Sequence, residues 1–350
     1  MEILFKNILE KLVSKIDLNA EESLSLMNET MSGNLSSAQI AAWLIAMRMK
    51  GETSLEISTF ASVMRQKAVS LKGFKESLSG PVMDTCGTGG DKSNLVNIST
   101  LSSIVLAARG IRVAKHGNRS VSSTSGCADF LERAGYPLNS SPEDIIAGIN
   151  RRNFGFFFAQ AFHPAMKYAG PVRKEIGIRT VFNVLGPLAN PAHAEIHLMG
   201  VFSREYIKIM AEALQQLGAK TFLVVHSVDG LDEISPVADT EYCLFHNGSF
   251  KNGMIKALIK EIGTLKIKTL SELRIKDGDE AFDLGKKILS GLNHPGAEMV
   301  AINAAAAEYL WELYHNKTNE ELQTYLVRKT PEIKQFILEG KCTLDKVIHE

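Results

Sequence analysis

The segment from Pro81 to Lys115 limits the possible folds more than any other part of this 350-residue chain. It reads as a strand, a glycine-rich loop, a helix and a second strand, which is about the length of one βαβ unit. Such a unit brings the loops that follow its two strands side by side, at the carboxyl edge of a parallel sheet. We therefore expect an α/β fold with a ligand-binding crevice at this edge.

The alternation of strands and helices continues along the chain. The predicted strands are Val82–Thr85, Ile111–Ala114, Gly155–Ala159, His197–Val201, Thr221–His226 and Glu241–Phe245. The predicted helices are Ser99–Arg109, Ala128–Ala134, Pro142–Asn150, Arg204–Leu217, Ala281–Ser290 and a long alanine-rich helix over Gly296–Trp311. This pattern predicts a mostly parallel central sheet covered by helices.

The first seventy or so residues read as helices that pack together. Three pairs at capping-box spacing begin successive helices, namely Asn19 with Glu22, Ser36 with Gln39 and Thr53 with Glu56. The segment His163–Asn190 is also predicted to be helical, interrupted at Pro171 and Pro187, and to form a hinge or lid. We therefore predict a helical domain of residues 1–75, joined by roughly 163–190, and a larger α/β domain of residues 76–162 and 191–350.

Charge and cysteine usage exclude several classes of protein. Lys and Arg together number 39, as do Asp and Glu, and this zero net charge argues against a nucleic-acid partner. No apolar run has the length of a membrane span, and the first residues lack a signal-peptide layout. The four cysteines are far apart, which predicts a reduced, cytoplasmic protein without a disulfide framework or a zinc site.

The loop Gly87-Thr88-Gly89-Gly90-Asp91 differs from the common nucleotide-binding motifs. Asp91 separates Gly90 from the Lys-Ser pair that a Walker A loop would need, and Lys92 stands where a dinucleotide fingerprint has glycine. The loop instead leads into Asn97–Thr100 at a helix start, where backbone N–H groups and the helix dipole favour an anion. Ser99 and Thr100 could add hydroxyl donors. Taken alone, an ordinary tight turn remains an alternative.

The second loop, Lys115–Ser123, concentrates charge and hydroxyl groups after the next predicted strand. Lys115 could supply a point charge to a phosphate and Arg119 a planar fork, while Asn118 could bridge two ligand groups. The serines that follow could surround a terminal phosphate. His116 is ambiguous, because a single histidine here could be structural or catalytic.

A third segment, Asp229–Glu233, follows the strand Thr221–His226 and carries the adjacent carboxylates Asp232 and Glu233. Such hard oxygen ligands suit Mg²⁺ bound together with ligand phosphates, although a charged turn is the alternative. Arg173 lies on the predicted hinge. It could pair with the carboxylate of a second substrate, but the residues alone favour an exposed salt bridge.

Together these segments resemble the anthranilate phosphoribosyltransferase family, pentosyl-class glycosyltransferases of tryptophan biosynthesis. The resemblance covers essentially the whole chain. It implies a helical domain and an α/β domain of the nucleoside-phosphorylase and phosphoribosyltransferase type, a homodimer formed through the helical domain, and a cytoplasmic enzyme. It also implies transfer of a phosphoribosyl group from phosphoribosyl diphosphate to the amino group of anthranilate, with Mg²⁺, by positioning and electrostatic stabilisation without a catalytic nucleophile or base.

The resemblance also implies site residues in this sequence. The phosphoribosyl diphosphate site would comprise Gly87, Gly90, Asp91, Leu95, Asn97, Ile98, Ser99, Thr100, Lys115, His116, Gly117, Asn118, Arg119, Ser120, Val121, Ser122, Ser123 and Cys127. Gly87, Asn118 and Arg173 would meet anthranilate, and Ser99, Asp232 and Glu233 would hold Mg²⁺. Leu95 stands where the family commonly has threonine, and Cys127 where serine or alanine is usual.

Two other functions fit parts of the pattern. A pyrimidine-nucleoside phosphorylase shares the overall architecture but needs no metal-bound pyrophosphate, so the Asp232-Glu233 pair and the Lys115–Arg119 motif favour the transferase. A non-catalytic nucleic-acid-binding paralogue of the same fold is disfavoured by the zero net charge and by the intact Asp232-Glu233 pair.

Overall fold

A computed structural model describes residues 2–71, 73–90, 93–120 and 125–349. Within these ranges seven strands form one sheet, with the order β3-β2-β1-β4-β5-β6-β7. The strands are β1 Met83–Gly87, β2 Val113–Gly117, β3 Phe154–Phe158, β4 Ile196–Gly200, β5 Thr221–Ser227, β6 Thr240–His246 and β7 Ser249–Ile255. The predicted strands are all present, with small differences at their ends.

The first five strands are parallel, and β6 and β7 run antiparallel at one side. After β3 the chain returns to the opposite side of β1 to form β4. The carboxyl ends of β1 and β4 therefore flank the topological switch point, where open α/β sheets bind their ligands.

Strand β7 was missing from the sequence-based prediction. It pairs with β6 as a hairpin whose turn residues, Asn247 and Gly248, both have positive φ angles. An Asn-Gly dipeptide is the strongest short-range hairpin signal, because both central residues of a type I′ turn need positive φ. Strand β7 is polar and mostly exposed, so its apolar pattern was too weak to reveal it.

Fifteen α-helices lie in the described ranges. They are α1 Glu2–Val13, α2 Ala20–Met31, α3 Ser37–Lys50, α4 Ser54–Gln66, α5 Phe74–Ser77, α6 Ile98–Ala108, α7 Cys127–Arg133, α8 Pro142–Arg152, α9 Ala159–Phe162, α10 Met166–Ile176, α11 Phe182–Leu185, α12 Tyr206–Gln216, α13 Gly278–Leu289, α14 Pro295–Tyr314 and α15 Leu322–Leu338. None of these helices has the length and apolar content needed to cross a membrane.

The three predicted capping boxes are confirmed at the starts of α2, α3 and α4. In each, the N-cap side chain accepts from a backbone N–H, and the side chain three residues later accepts from the N-cap N–H. The predicted interruption at Pro171 is wrong, since α10 continues through this residue to Gly177. Pro171 has no N–H, so the carbonyl of Lys167 lacks its helical hydrogen bond. Both residues are exposed, so water can donate a hydrogen bond to that carbonyl instead.

Alternate residues of the central strands point to two different apolar cores. Met199 of β4 and Phe222 of β5 pack with helices α1–α4 and α10–α12 on one face. Leu198 and Leu223 pack on the other face, against α6, α14 and α15. The hinge helices thus lie in the same core as the N-terminal helices, whereas the exact division of the chain into two domains stays a prediction.

His197 of β4 is fully buried, and burial lowers its pKa to about 3. Its Nε2 lies 2.9 Å from the carbonyl oxygen of Ala194, and among the described residues its Nδ1 has no hydrogen-bond partner. The folded state therefore keeps His197 neutral at pH values where the unfolded chain, with a pKa of about 6.5, binds a proton. Its contribution to stability is complete above that pH and is lost as the pH falls towards 3.

We expect His197→Asn to reduce the slope of the free energy of unfolding against pH by about 1.4 kcal/mol per pH unit below pH 6. Urea unfolding at several pH values between 7 and 4.5 measures this slope. Leu198→Ala, which opens a cavity on the same strand without changing a titratable group, should keep the wild-type slope. An unchanged slope in His197→Asn would mean that the histidine is protonated in the folded state.

Candidate active site

Two paired glycines form the floor of the crevice at the switch point. Gly87 ends β1, Gly200 ends β4, and the two are partners in the parallel register. A Cβ atom at Gly200 would overlap the backbone carbonyl oxygen of Asp232, and one at Gly87 would collide with the Asp232 carboxylate. Only residues without a side chain let the loop after β5 approach the two strand ends this closely.

The glycine-rich loop is held against the same aspartate. The N–H of Gly89 donates to Oδ2 of Asp232 at 2.7 Å. Gly89 and Gly90 have φ angles of 64° and 79°, a left-handed conformation that favours glycine. The loop therefore turns back over the ends of β1 and β4, and its approach to an anion stays a prediction.

The start of α6 holds the second carboxylate. The N–H of Ser99, in the first turn of this helix, donates to Oε1 of Glu233 at 3.2 Å. The structure thus brings together Ser99, Asp232 and Glu233, the residues predicted to hold Mg²⁺. Two half-buried carboxylates and a serine hydroxyl are hard oxygen ligands of the kind that Mg²⁺ prefers, so this set of residues fits the ion.

Lys115 does not face the crevice as the sequence suggested. Its side chain is 1% exposed, and its Nζ donates to the backbone carbonyl of Thr85 at 2.6 Å. Beside it, burial raises the pKa of Asp84 to about 6, although the charge of Lys115 and hydrogen bonds from Asn190 and the His116 N–H oppose this shift. Lys115 therefore holds the strand ends together from the interior, and its action on a ligand stays a prediction.

His116 is hydrogen-bonded within the protein in this structure, and its predicted contact with a ligand stays a prediction. Its Nδ1 lies 3.1 Å from the carbonyl oxygen of Gly186, and its Nε2 lies 3.2 Å from Nε2 of His163. Since a carbonyl accepts, the geometry places a proton on Nδ1 of His116 and lets His163 donate to its Nε2. Burial and the neighbouring histidine lower the pKa of His116 well below its ordinary value, so this neutral pair joins β2 to the hinge segment.

The guanidinium fork of Arg119 is already occupied. It donates to both carboxylate oxygens of Glu132, at 2.6 and 2.7 Å, and to Asp129 at 3.0 Å. Asp129 also accepts from the N–H groups of Ser120 and Gly126. In this conformation Arg119 therefore holds Asn118–Ser120 against α7, and its binding to phosphate stays a prediction.

Several other residues predicted to bind the donor have side chains that are buried or hydrogen-bonded within the protein. Ile98 and Thr100 are buried, and Oγ1 of Thr100 has no hydrogen-bond partner among the described residues. Leu95 and Cys127 are half-buried and pack against the apolar core, and their contacts with a ligand stay predictions. Asn97 hydrogen-bonds to Ser125 through its side chain. The predicted contacts of Asp91, Val121, Ser122 and Ser123 lie outside the described residues.

The residues predicted to meet anthranilate include two polar side chains near the crevice. Asn118 is exposed, and its Oδ1 accepts from the Arg119 N–H at 2.8 Å and from Gln160 at 3.2 Å. Arg173 of α10 is half-buried, with its guanidinium carbon 5.2 Å from the centre of the Phe182 ring. In the described ranges Arg173 makes no ion pair, so the expected exposed salt bridge is not found. Burial lowers its pKa, which is typical of a cation that lacks a counter-charge.

A buried group of possible metal ligands lies beneath this site. Ligand atoms of Asp84, Cys86 and His197 lie within 4.8 Å of one another in the interior. However, Lys115 already provides a positive charge beside Asp84, and the positive charge of Arg65 interacts electrostatically with both Asp84 and His197. We therefore interpret this group as part of the polar interior.

Sequence reasoning missed Gly200 and Arg179. Gly200 lies at the carboxyl end of a predicted strand, the position from which a ligand-binding loop starts, and this was a usable signal. Arg179 gave no such signal, because its contacts with the glycine-rich loop depend on how the hinge packs.

We expect Gly200→Ala to displace the loop that carries Asp232. The added Cβ meets backbone rather than a flexible side chain, so we expect a loss of about 1–3 kcal/mol in the free energy of unfolding. Urea unfolding measures that loss, and calorimetric titration with Mg²⁺ and pyrophosphate measures binding, which should weaken at least as clearly.

Gly170→Ala on α10 is the matched control, because open space surrounds that position. It should bind as the wild-type protein does and be at least as stable, since alanine favours a helix over glycine. Wild-type stability and binding in Gly200→Ala would show that the Asp232 loop does not need this close approach.

Comparison with known proteins identifies the family. Residues 79–326 match the model "Glycosyl transferase family, a/b domain", and residues 6–68 match "Glycosyl transferase family, helical bundle domain". The anthranilate phosphoribosyltransferase of Legionella pneumophila (strain Paris) is 43% identical over 304 residues, which are 87% of this chain and 86% of that protein. That of Cellvibrio japonicus is 43% identical over 309 residues, covering 87% and 88% of the two chains.

Solved structures agree with these sequence matches. The crystal structure of anthranilate phosphoribosyltransferase from Thermus thermophilus superposes with a TM-score of 0.84 at 36% identity, over 97% of this chain and 98% of that chain. The Saccharomyces cerevisiae enzyme in complex with PRPP and Mg gives a TM-score of 0.80 at 23% identity, over 99% and 98%, and supports the fold alone. The fold, the crevice at its switch point and these relatives together show that the chain belongs to the anthranilate phosphoribosyltransferase family.

Proposed function

We propose that this protein transfers the phosphoribosyl group of phosphoribosyl diphosphate to the amino group of anthranilate, in tryptophan biosynthesis. The observation that carries this proposal is the position of Asp232 and Glu233, which the glycine-rich loop and the start of α6 hold at the switch point. The two bacterial relatives described above, which are 43% identical to this chain over most of both sequences, carry the name anthranilate phosphoribosyltransferase.

The donor would lie between the glycine-rich loop and the Asn118–Ser123 segment. Ser99, Asp232 and Glu233 would hold Mg²⁺, which would neutralise charge on the pyrophosphate group of the bound donor. Backbone N–H groups of the loop and the α6 dipole face the same region and favour an anion there. The buried charge of Lys115 adds a positive field from below, at a place where little water screens it.

The acceptor would approach from the hinge. Arg173 would pair with the carboxylate of anthranilate, because this guanidinium is half-buried and lacks an ion pair among the described residues. Asn118 and the backbone at Gly87 would lie between acceptor and donor. The amino nitrogen would form a bond to C1 of the ribose as the bond from C1 to the pyrophosphate oxygen breaks, and the nitrogen would then release a proton to its surroundings.

This reaction needs little acid–base assistance. The arylamine is already nucleophilic, so positioning of the two substrates and stabilisation of the leaving pyrophosphate supply most of the rate enhancement. The buried, neutral His116–His163 pair is consistent with this, because neither ring is placed to exchange a proton with bulk water.

The decisive experiment follows the fluorescence of anthranilate in the presence of phosphoribosyl diphosphate and Mg²⁺. We expect the fluorescence to fall only when both are present. Persistent fluorescence with folded protein would refute the proposal. Phosphate-dependent cleavage of a pyrimidine nucleoside in the same preparation would favour the phosphorylase instead.

We also propose a homodimer that forms through the helical layer, in the cytoplasm. Large apolar side chains are exposed on or beside α1, α2 and α4, namely Leu4, Val13, Ile16, Leu24 and Leu55, with exposed fractions of 41–65%. A second copy of this surface could cover them. Light scattering after gel filtration should give twice the chain mass of 38.4 kDa, and a monomeric mass would exclude the dimer.

We expect Arg173→Ala to raise the KM for anthranilate by about 10–100-fold, since a hydrogen bond to a charged group contributes roughly 1.5–3 kcal/mol. The KM for phosphoribosyl diphosphate should stay within about twofold of wild type. Initial rates over a matrix of both substrates measure the two constants. Lys174→Ala, at the exposed neighbouring position, is the control, and a larger effect on the donor than on anthranilate would contradict the assignment.

We expect Asp232→Asn to raise the Mg²⁺ concentration needed for half-maximal activity by about 10–100-fold, the range found when groups that support a metal site are changed. The amide keeps the shape of the side chain but loses its charge. Magnesium titrations at saturating substrates measure the change. Asp283→Asn on α13 removes an exposed carboxylate far along the chain and should leave the titration unaltered. An unaltered titration in Asp232→Asn would remove Asp232 from the metal site.

A further inference from the structure

Arg179, between α10 and α11, connects the hinge to the glycine-rich loop. Its Nη2 donates to the backbone carbonyl of Gly90. Its guanidinium carbon lies 4.3 Å from the centre of the Phe202 ring, within the range of a cation–π interaction. Its own carbonyl accepts from Nη1 of Arg48 on α3. A single residue thus links the helical layer, the hinge and the loop at the end of β1 through its backbone and its side chain.

Phe202 provides a second connection to the same loop. Its N–H donates to Oγ1 of Thr88 at 3.0 Å, while the N–H of Thr88 donates to the carbonyl of Gly200. The Phe202 ring also packs on Tyr206, whose hydroxyl donates to Glu52 at the start of the loop before α4. Arg179 and Phe202 therefore hold the loop through contacts that are independent of Asp232.

The loop needs such support because of its composition. Gly89 and Gly90 lose more conformational freedom on folding than other residues, so the loop has little preference of its own for the observed conformation. Asp232 holds Gly89, and Arg179 holds Gly90. Loss of the Arg179 contact leaves Gly90 without a polar anchor among the described residues, whereas the preceding part of the loop keeps the contacts of Thr88 and Gly89.

We infer that Arg179 is a positioning residue that holds the glycine-rich loop in the conformation that receives the donor's pyrophosphate. This inference rests on the proposed function. Arg179 acts through Gly90 and Phe202 rather than through a reacting atom, so its removal affects binding of the donor more than binding of anthranilate. It also makes the shape of the loop depend on the position of the hinge.

The test compares Arg179→Gln and Arg179→Lys with Arg204→Gln. Arg204 follows strand β4, as Phe202 does, but its side chain is 75% exposed and pairs with Glu241. Arg179→Gln should raise the KM for phosphoribosyl diphosphate about tenfold or more, with the KM for anthranilate within about twofold of wild type. Arg179→Lys should restore part of the loss, because it keeps the charge but not the planar fork. Arg204→Gln should match the wild type.

A second measurement is independent of turnover. Hydrogen exchange of a peptide spanning residues 86–90 should be faster in Arg179→Gln, and calorimetric binding of pyrophosphate with Mg²⁺ should be weaker. An equal rise in both KM values, or wild-type exchange and pyrophosphate binding, would overturn the inference. If the wild type fails to use anthranilate, faster exchange and weaker pyrophosphate binding in Arg179→Gln would still support the role of Arg179 while refuting the proposed reaction.

Discussion

The close approach of Asp232 to the ends of β1 and β4 is the constraint on which the site depends. It requires glycine at two paired positions, Gly87 and Gly200, on strands that are far apart in the chain. Once the loop after β5 lies over these glycines, its two carboxylates face the glycine-rich loop and the start of α6. The residues that we propose to bind the metal and the backbone groups that we propose to bind an anion are therefore brought together by one packing requirement.

The charges beneath the site are arranged differently from those on its rim. Lys115 is buried against Asp84 and Thr85, so its charge is fixed by the interior of the sheet. Arg119, on the rim, is neutralised by Glu132 and Asp129. Both cations thus have carboxylate neighbours, and the oriented backbone groups of the glycine-rich loop and α6 are the groups that we expect to attract an anion. Such a local arrangement can favour an anion in one crevice even in a chain of zero net charge.

Most of the fold could be predicted because its signals are local. Strand-and-helix alternation, three capping boxes and the glycines at strand ends all depend on residues near one another in sequence. The side-chain directions of Lys115, Arg119 and Thr100 could not be predicted, because each depends on partners brought close by folding. The same is true of Arg179, whose contacts join the hinge to a loop much earlier in the chain. The interruption predicted at Pro171 was wrong for a related reason. Exposure of the helix decides whether the lost hydrogen bond matters, and exposure depends on how the helix packs.

Asn190, at the end of the hinge, restricts how the two layers could move relative to each other. It is fully buried, and its Nδ2 donates both to the carboxylate of Asp84 and to the carbonyl of Ala114, on neighbouring strands. Its Oδ1 accepts from the N–H of Ala192. Sliding of the hinge along the sheet would break the two bonds to Asp84 and Ala114 in a site closed to water. Rotation about this point would keep both bonds, so we expect Asn190 to act as the pivot when the crevice opens.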